Sequence, residues 1–257
     1  MKLLLAAFFI TFLLFSCNSS DKKISQIEIV KTQTDTIKTI EKPSIKITKA
    51  LVLGKFDYKT DSTFTKVSVE HSAKTLYLNK EVYSAFLEMH KAAKTDSIEL
   101  TILSGTRNFK EQKNIWERKW NKYSNLEPLE RAKKILEYSS MPSTSRHHWG
   151  TDIDLNSLSN SYFSSGKGFK EYEWLTKNAN DFGFHQVYTD INSLRTGYNL
   201  EKWHWSYMPL ASKYLKFYNN RIVNDDINNF KGYEEAPKLR VINDYVNGIS
   251  QKAKSYE

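Results

Sequence analysis

The chain has little cysteine: Cys17 is the only one among its 257 residues. A single thiol cannot form an internal disulfide, and it excludes a metal centre built from several cysteines. Internal repeats are also absent, and no cluster of basic and aromatic residues typical of a nucleic-acid-binding module is present. The net charge of +9 is spread along the chain. It indicates either a solvated surface or attraction to an anionic envelope, and no nucleic-acid partner is expected.

The sequence also lacks an apolar run long enough to span a bilayer. The run from Leu3 to Phe15 follows the basic Lys2 and is too short for a spanning helix, so it predicts a signal peptide. Cys17 stands at the end of this run in a setting that resembles a bacterial lipobox, which implies cleavage before Cys17 and acylation of its thiol. An ordinary signal peptide with a fortuitous cysteine, or a buried structural cysteine, is the alternative.

Three regions follow from these patterns. Residues 1–16 are expected to be a lipoprotein signal peptide, and residues 17–46 a lipidated polar tether, since their few Ile and Val residues are too scattered to define a core. Residues 47–257 have the length of one globular domain. The expected location is the cell envelope, where a membrane-anchored lipoprotein would face the periplasm or the cell exterior.

The folded region mixes helical and extended patterns. Val82, Phe86, Met89 and Ala93 recur at helical spacing and predict a helix over residues 81–93. Ala50 to Gly54 is interpreted as a short extended piece. Strands and helices follow one another without a regular βαβ alternation, which favours an α+β domain.

Two short segments carry most of the chemistry, SRHHWGTDID at residues 145–154 and EKWHW at residues 201–205. Alternation around Ile153 predicts a strand that sends Asp152 and Asp154 to the same face. Two histidines and an aspartate can hold a zinc ion and leave a fourth position for water, whose pKa the metal lowers to about 7. A nearby glutamate then completes a general base.

These segments, with Ser104-Gly105-Thr106-Arg107 and Gln112, resemble the zinc D-alanyl-D-alanine carboxypeptidase family. That family includes the vancomycin-resistance carboxypeptidases and dipeptidases and shares a fold with lysostaphin-type endopeptidases. Its pattern is Ser-x-His-x-x-Gly-x-x-x-Asp followed by Glu-x-x-His, and it falls here on Ser145, His147, Gly150, Asp154, Glu201 and His204. The resemblance spans about residues 50 to 250. It implies a small antiparallel sheet that carries the zinc site, flanked by helices, with residues 47–257 as the zinc peptidase domain.

The resemblance also implies a role for each site residue. His147, Asp154 and His204 would hold one zinc ion, Glu201 would be the catalytic base, and Arg107 would steady the scissile carbonyl or the substrate carboxylate. The expected substrate contacts are Gln112, Ser145, Asp152 and Trp203. Asp152 departs from the family, in which many members carry alanine, and could instead orient a ligand or bind outer water. His148 is interpreted as a pocket wall or a support for a ligand.

The function expected from this resemblance is removal of the terminal D-alanine from peptidoglycan stem peptides by a monomeric enzyme. An L,D-carboxypeptidase or a stem-peptide endopeptidase is an open alternative, because the sequence does not determine which bond is cut. From another class, a non-catalytic peptidoglycan-binding lipoprotein with structural zinc is also open, although such a protein has no need of a base at Glu201.

Overall fold

The computed structural model describes residues 46–191 and 195–256. The predicted signal peptide and, apart from Lys46, the predicted tether lie outside the described residues, and so does Cys17. Within the described ranges, no helix combines the length and apolar character needed to cross a bilayer.

The helices differ widely in length. The α-helices are α1 (Lys49–Val52), α2 (Lys80–Thr95), α3 (Phe109–Lys122), α4 (Pro128–Leu136), α5 (Gly166–Asn178), α6 (Met208–Arg221) and α7 (Gln251–Lys254). Short 3-10 helices span Arg146–Trp149, Asn160–Ser164, Ala179–Phe182, Asn224–Asp226 and Tyr233–Glu235, and a π-helical turn spans Ile242–Val246.

Helix α2 confirms the helical pattern read from the sequence. Its predicted apolar stripe is buried: Val82, Phe86, Met89 and Ala93. The helix begins where the Asn79 side chain accepts a hydrogen bond from the Glu81 backbone N–H at 3.0 Å, which satisfies one of the free donors of the first turn.

The prediction of an extended piece at residues 50–54 is wrong. Lys49–Val52 form helix α1 instead. The Thr48 side chain caps this turn by accepting from the Leu51 N–H at 3.1 Å, and both Leu51 and Val52 are buried. A short apolar run is compatible with a buried strand or a buried helical turn, and here the Thr48 cap favours the helical turn.

The strands form two antiparallel sheets. β1 (Phe64–Lys66) pairs with β2 (Tyr77–Asn79), and a four-stranded sheet has the order β3-β4-β6-β5. Its strands are β3 (Ile102–Ser104), β4 (Asp152–Leu155), β5 (Phe184–Gln186) and β6 (His204–Tyr207). Every neighbouring pair in it is antiparallel. With helices around these small sheets, the expected α+β class is confirmed.

The pairing of β4 with β6 positions the site. Its register sets Asp154 opposite His204 and Asp152 opposite Ser206. Ile153, between the two aspartates, is fully buried in the hydrophobic core. Because side chains alternate along a strand, the two carboxylates share one face of the sheet, and both reach the same imidazole from there.

Candidate active site

His147 lies on the 3-10 helix that precedes β4. That helix ends at Gly150, whose backbone φ is 70° and where a Cβ would collide with the ring of Phe64, so glycine is required at this turn. The His147 Nδ1 lies 2.9 Å from the carbonyl oxygen of Gly105. A carbonyl oxygen only accepts, so Nδ1 carries the proton and Nε2 is left with its lone pair.

His204 lies between two carboxylates, one at each ring nitrogen. Its Nδ1 is 3.0 Å from Asp154 Oδ1, and its Nε2 is 2.9 Å from Asp152 Oδ2. Burial works to lower the pKa of His204, but the hydrogen bonds to Asp152 and Asp154 outweigh it and raise that pKa to about 10. On the opposite side of Asp154, Oδ2 is 3.4 Å from His147 Nε2.

These three side chains fit a divalent metal ion. Ligand atoms of His147, Asp154 and His204 all lie within 4.8 Å of one another, and all three residues are buried. Ligands about 2.0 to 2.1 Å from a tetrahedral zinc ion are separated from one another by roughly 3.3 Å. The two separations at Asp154 are close to this value, although each involves a different carboxylate oxygen: Oδ1 lies 3.0 Å from His204 Nδ1, and Oδ2 lies 3.4 Å from His147 Nε2. In the described part of the chain, no other group of three or more such side chains comes together in this way.

Glu201 stands beside this cluster. It is buried, and its Oε2 lies 3.5 Å from His204 Nδ1. Burial raises the pKa of Glu201 to about 8, with a further increase from Asp154, while His204 and Arg107 act in the opposite direction. A carboxyl group with a pKa near neutrality suits both the uptake and the return of a proton.

Arg107 projects into the same cleft from the turn after β3. Its backbone N–H donates to the His147 carbonyl at 3.1 Å, so the turn and the 3-10 helix hold each other. The Arg107 Nε is a buried donor with no hydrogen-bond partner among the described residues. A fixed, charged donor without a protein acceptor is suited to a carboxylate or a developing oxyanion of a substrate.

His148 supports this arrangement from behind and does not approach the three clustered ligand atoms. It is fully buried, its Nδ1 donates to the Arg107 carbonyl at 2.7 Å, and its Nε2 accepts from the Ser143 N–H at 3.1 Å. Burial lowers the pKa of His148 to about 3, which keeps the ring neutral and Nε2 available as an acceptor. The sequence predicted a pocket wall or a support for a ligand at His148; the structure places it against the backbone of Arg107 and Ser143, and it is not among the residues that line the cleft.

The cleft above the cluster has a volume of about 660 Å³. Three of the expected substrate contacts line it: Gln112, Ser145 and Trp203. Within the described chain, Gln112 Oε1 and Ser145 Oγ are buried without a hydrogen-bond partner, so both can meet a polar ligand. Asp152 is not among the lining residues, because it is fully buried behind His204.

Several residues of the cleft wall were not predicted from the sequence: Arg118, Lys119, Tyr138, Tyr188 and Tyr198. Gln112, Ile115 and Lys119 follow one another at helical spacing on α3, so Lys119 could have been found from Gln112. The three tyrosines belong to no motif, and only the fold brings them to the cleft.

The chain matches a known protein family over much of its length. The sequence model of VanY, D-alanyl-D-alanine carboxypeptidase, matches residues 75–210, more than half of the chain. The chain belongs to the VanY family. The family predicted from the motifs is therefore confirmed.

One curated protein and two solved structures are similar to this chain at low sequence identity. YodJ of Bacillus subtilis (strain 168), which is named as a carboxypeptidase, is 31% identical over 144 residues, or 55% of this chain and 50% of that protein. This chain therefore spans about half the length of that curated relative. The solved structure of the LdcB LD-carboxypeptidase is 25% identical, with a TM-score of 0.50, and the match covers 72% of this chain and 80% of that one. VanYB in complex with D-alanine-D-alanine is 21% identical, with a TM-score of 0.49, over 64% of this chain and 87% of that one.

Proposed function

We propose that this protein is a zinc-dependent carboxypeptidase that removes the terminal D-alanine from peptidoglycan stem peptides and acts as a monomer. The observation that carries the proposal is the cluster of His147, Asp154 and His204 with Glu201 beside it in one cleft. Two imidazoles and a carboxylate with one open position are typical of hydrolytic zinc. Membership of the VanY family supports the same reaction class.

A zinc ion held by these three side chains would supply a water of lowered pKa and a Lewis acid for the scissile carbonyl. Glu201 accepts the proton of the attacking water at its carboxylate and returns it to the departing amine. Burial raises the pKa of Glu201 in the metal-free protein, which makes its carboxylate a stronger base, while the charge of a bound zinc ion would favour the ionised form that accepts the proton. Arg107 donates either to the developing oxyanion or to the terminal carboxylate of the substrate.

A second candidate is L,D-carboxypeptidase activity, which acts on stems that have already lost one D-alanine. It is favoured by the similarity to LdcB, an LD-carboxypeptidase. The residues that separate the two activities are expected in the loop after β4, where Leu158, Ser159, Asn160 and Ser161 line the cleft.

Mass spectrometry of defined muropeptides tests the proposal. Tetrapeptide and pentapeptide stems are incubated with zinc-loaded protein that lacks residues 1 to 20. Loss of one alanine from the pentapeptide alone supports D,D-carboxypeptidase activity, and loss from the tetrapeptide supports L,D-carboxypeptidase activity. If zinc stays bound and neither stem changes, the enzyme proposal fails and a peptidoglycan-binding lipoprotein with structural zinc takes its place.

We also propose that Cys17 is acylated and anchors the protein in the cell envelope, where its substrate lies. The support is the position of Cys17, which follows the small residue Ser16 at the end of a short apolar run. Metabolic labelling with a fatty acid should mark the wild type and not Cys17→Ser. Equal labelling of both proteins would contradict this anchor.

A further inference from the structure

Asp152 is enclosed by hydrogen-bond donors on every side. Its Oδ2 lies 2.9 Å from His204 Nε2 and 2.9 Å from Arg146 Nε. Its Oδ1 accepts from Ser206 Oγ at 2.8 Å and from Thr151 Oγ1 at 2.6 Å. Four donors fill the acceptor capacity of one carboxylate, so Asp152 has no room for a direct contact with substrate.

Arg146 completes this buried network. Its side chain is fully buried, and besides the bond to Asp152 its Nη2 donates to Ser206 Oγ at 2.6 Å. The guanidinium also lies over the ring of Trp149, 4.7 Å from the ring centroid. Arg146 and Asp152 thus form a fully buried ion pair with fixed geometry, in which the cation compensates a carboxylate that would otherwise be costly to bury.

The network is built from the same short segments that carry the clustered ligands. Arg146 directly precedes His147 in the chain, and Asp152 is two residues before Asp154 on the same face of β4. Ser206 lies two residues after His204 and is paired with Asp152 across the sheet. A shift of the ion pair would therefore shift all three ligands together.

The bond from His204 to Asp152 has a chemical consequence. A histidine can offer Nδ1 to a metal only when its remaining proton is on Nε2. The Asp152 carboxylate accepts from Nε2, whereas Nδ1 faces Asp154 and the cleft. Carboxylates that hold a ligand histidine in this way fix its tautomer and ring orientation and make the ligand nitrogen more basic.

We propose that Asp152 is a positioning residue that keeps the His204 proton on Nε2 and aims Nδ1 at the metal, and that Arg146 holds Asp152 in place. This inference rests on the proposed function, since it assumes that His204 is a ligand of zinc. It gives the two residues a role in setting metal affinity that is separate from their contribution to the stability of the sheet.

The unmutated protein provides the first test. Two-bond proton–nitrogen correlation spectra of the full-length, zinc-loaded chain with ¹⁵N-labelled histidine report which ring nitrogen carries the proton. The proposal expects His204 to be protonated at Nε2 and not at Nδ1. A His204 ring protonated at Nδ1, or unprotonated at Nε2, overturns it without any substitution that could disturb folding.

Substitutions provide the second test, read as the zinc dissociation constant by competition with a chromophoric chelator. Asp152→Asn should weaken zinc binding by roughly 10 to 100-fold, the range typical when an outer partner of a ligand is lost. Arg146→Lys should have a smaller effect, and Ser206→Ala should change affinity by only a few fold. The matched control is Glu171→Gln, the same change at another buried carboxylate, which bonds Tyr162 and lies outside the cleft. It should leave zinc affinity unchanged.

The outcomes separate this inference from the proposed function. If Asp152→Asn folds and binds zinc as tightly as Glu171→Gln does, the positioning role is wrong and the carboxypeptidase proposal stands. If affinity falls as expected but the wild type cleaves no stem peptide, the positioning role stands and the proposed function fails. If the wild type binds no zinc, both are overturned.

Discussion

The protein contains two histidine pairs with nearly the same ring geometry and different surroundings. The rings of His147 and His204 are 4.9 Å apart at an interplanar angle of 87°. Those of His71 and His90 are 4.7 Å apart at 81°. The first pair is joined by Asp154, whereas His71 bonds the hydroxyl of a tyrosine at 2.8 Å and both rings of the second pair contact Phe86.

Two close imidazoles therefore do not by themselves make a candidate metal site. Around the first pair, acceptors fix the outer nitrogens: the Gly105 carbonyl for His147 and the Asp152 carboxylate for His204. The inner nitrogens then converge with a carboxylate. The second pair has aromatic neighbours and no third ligand among the described residues, so it packs against aromatic rings and offers no candidate metal site.

Removing one histidine from each pair should give the largest difference. His204→Ala leaves two ligands, and we expect zinc affinity to fall by at least about 10³-fold, more than the 10 to 100-fold typical of outer partners. His90→Ala should bind zinc as the wild type does. Metal analysis after dialysis against a weak chelator measures both. Equal zinc retention by the two variants would show that His204 is not a ligand.

Glu201→Ala should separate catalysis from metal binding at the site formed around the first histidine pair. Because Glu201 is the proposed general base and not a ligand, we expect turnover to fall by roughly 10² to 10⁴-fold while one zinc ion stays bound. Muropeptide turnover and metal content are measured on the same sample. Activity that survives this substitution would contradict the assignment of Glu201.

Arg107→Lys keeps a positive charge in the cleft but loses the planar fork of donors. Removal of a donor to an oxyanion typically lowers kcat by about 10² to 10³-fold, and lysine should recover only part of that loss. Steady-state kinetics should show whether kcat or KM changes. A change in KM alone assigns Arg107 to the terminal carboxylate, and a wild-type rate would contradict both roles.

The sequence indicated which residues cluster at the candidate site better than it indicated which residues line the cleft. Period-two alternation was enough to place Asp152 and Asp154 on one face, because that geometry is local to β4. It could not show that Asp152 faces His204 and Arg146 behind the cleft, since that depends on the register of β4 with β6 and on the path of the 3-10 helix. Tyr188 and Tyr198 were missed for the same reason: long-range folding alone brings them to the cleft.

Stability of the metal-free protein should depend on the ionisation of Glu201. Burial raises its pKa from about 4.5 to about 8, so between these values the folded state keeps a proton that the unfolded state has released. The free energy of unfolding therefore falls as pH rises through this window. Glu201→Gln cannot ionise and should be more stable than the wild type at pH 8 by about 2 to 4 kcal/mol. Urea unfolding of chelator-treated protein at pH 4.5 and pH 8 measures the difference, and equal gains at both pH values would contradict it.

The smallest effect is expected at the second histidine pair. Burial lowers the pKa of His90, and His71 and Lys94 lower it further, while Glu70 and Glu99 act in the opposite direction. The unfolded chain takes up a proton near pH 6.5, before the folded one does, so the free energy of unfolding should fall as pH drops below that value. His90 is partly exposed and screened by solvent, so the loss in free energy of unfolding should stay below about 1 kcal/mol.

His90→Gln should remove this part of the pH dependence in urea titrations at pH 5 and pH 7.5. An unchanged dependence would contradict this contribution of His90 to the pH dependence, and would leave its ring contact with Phe86 as its contribution to stability.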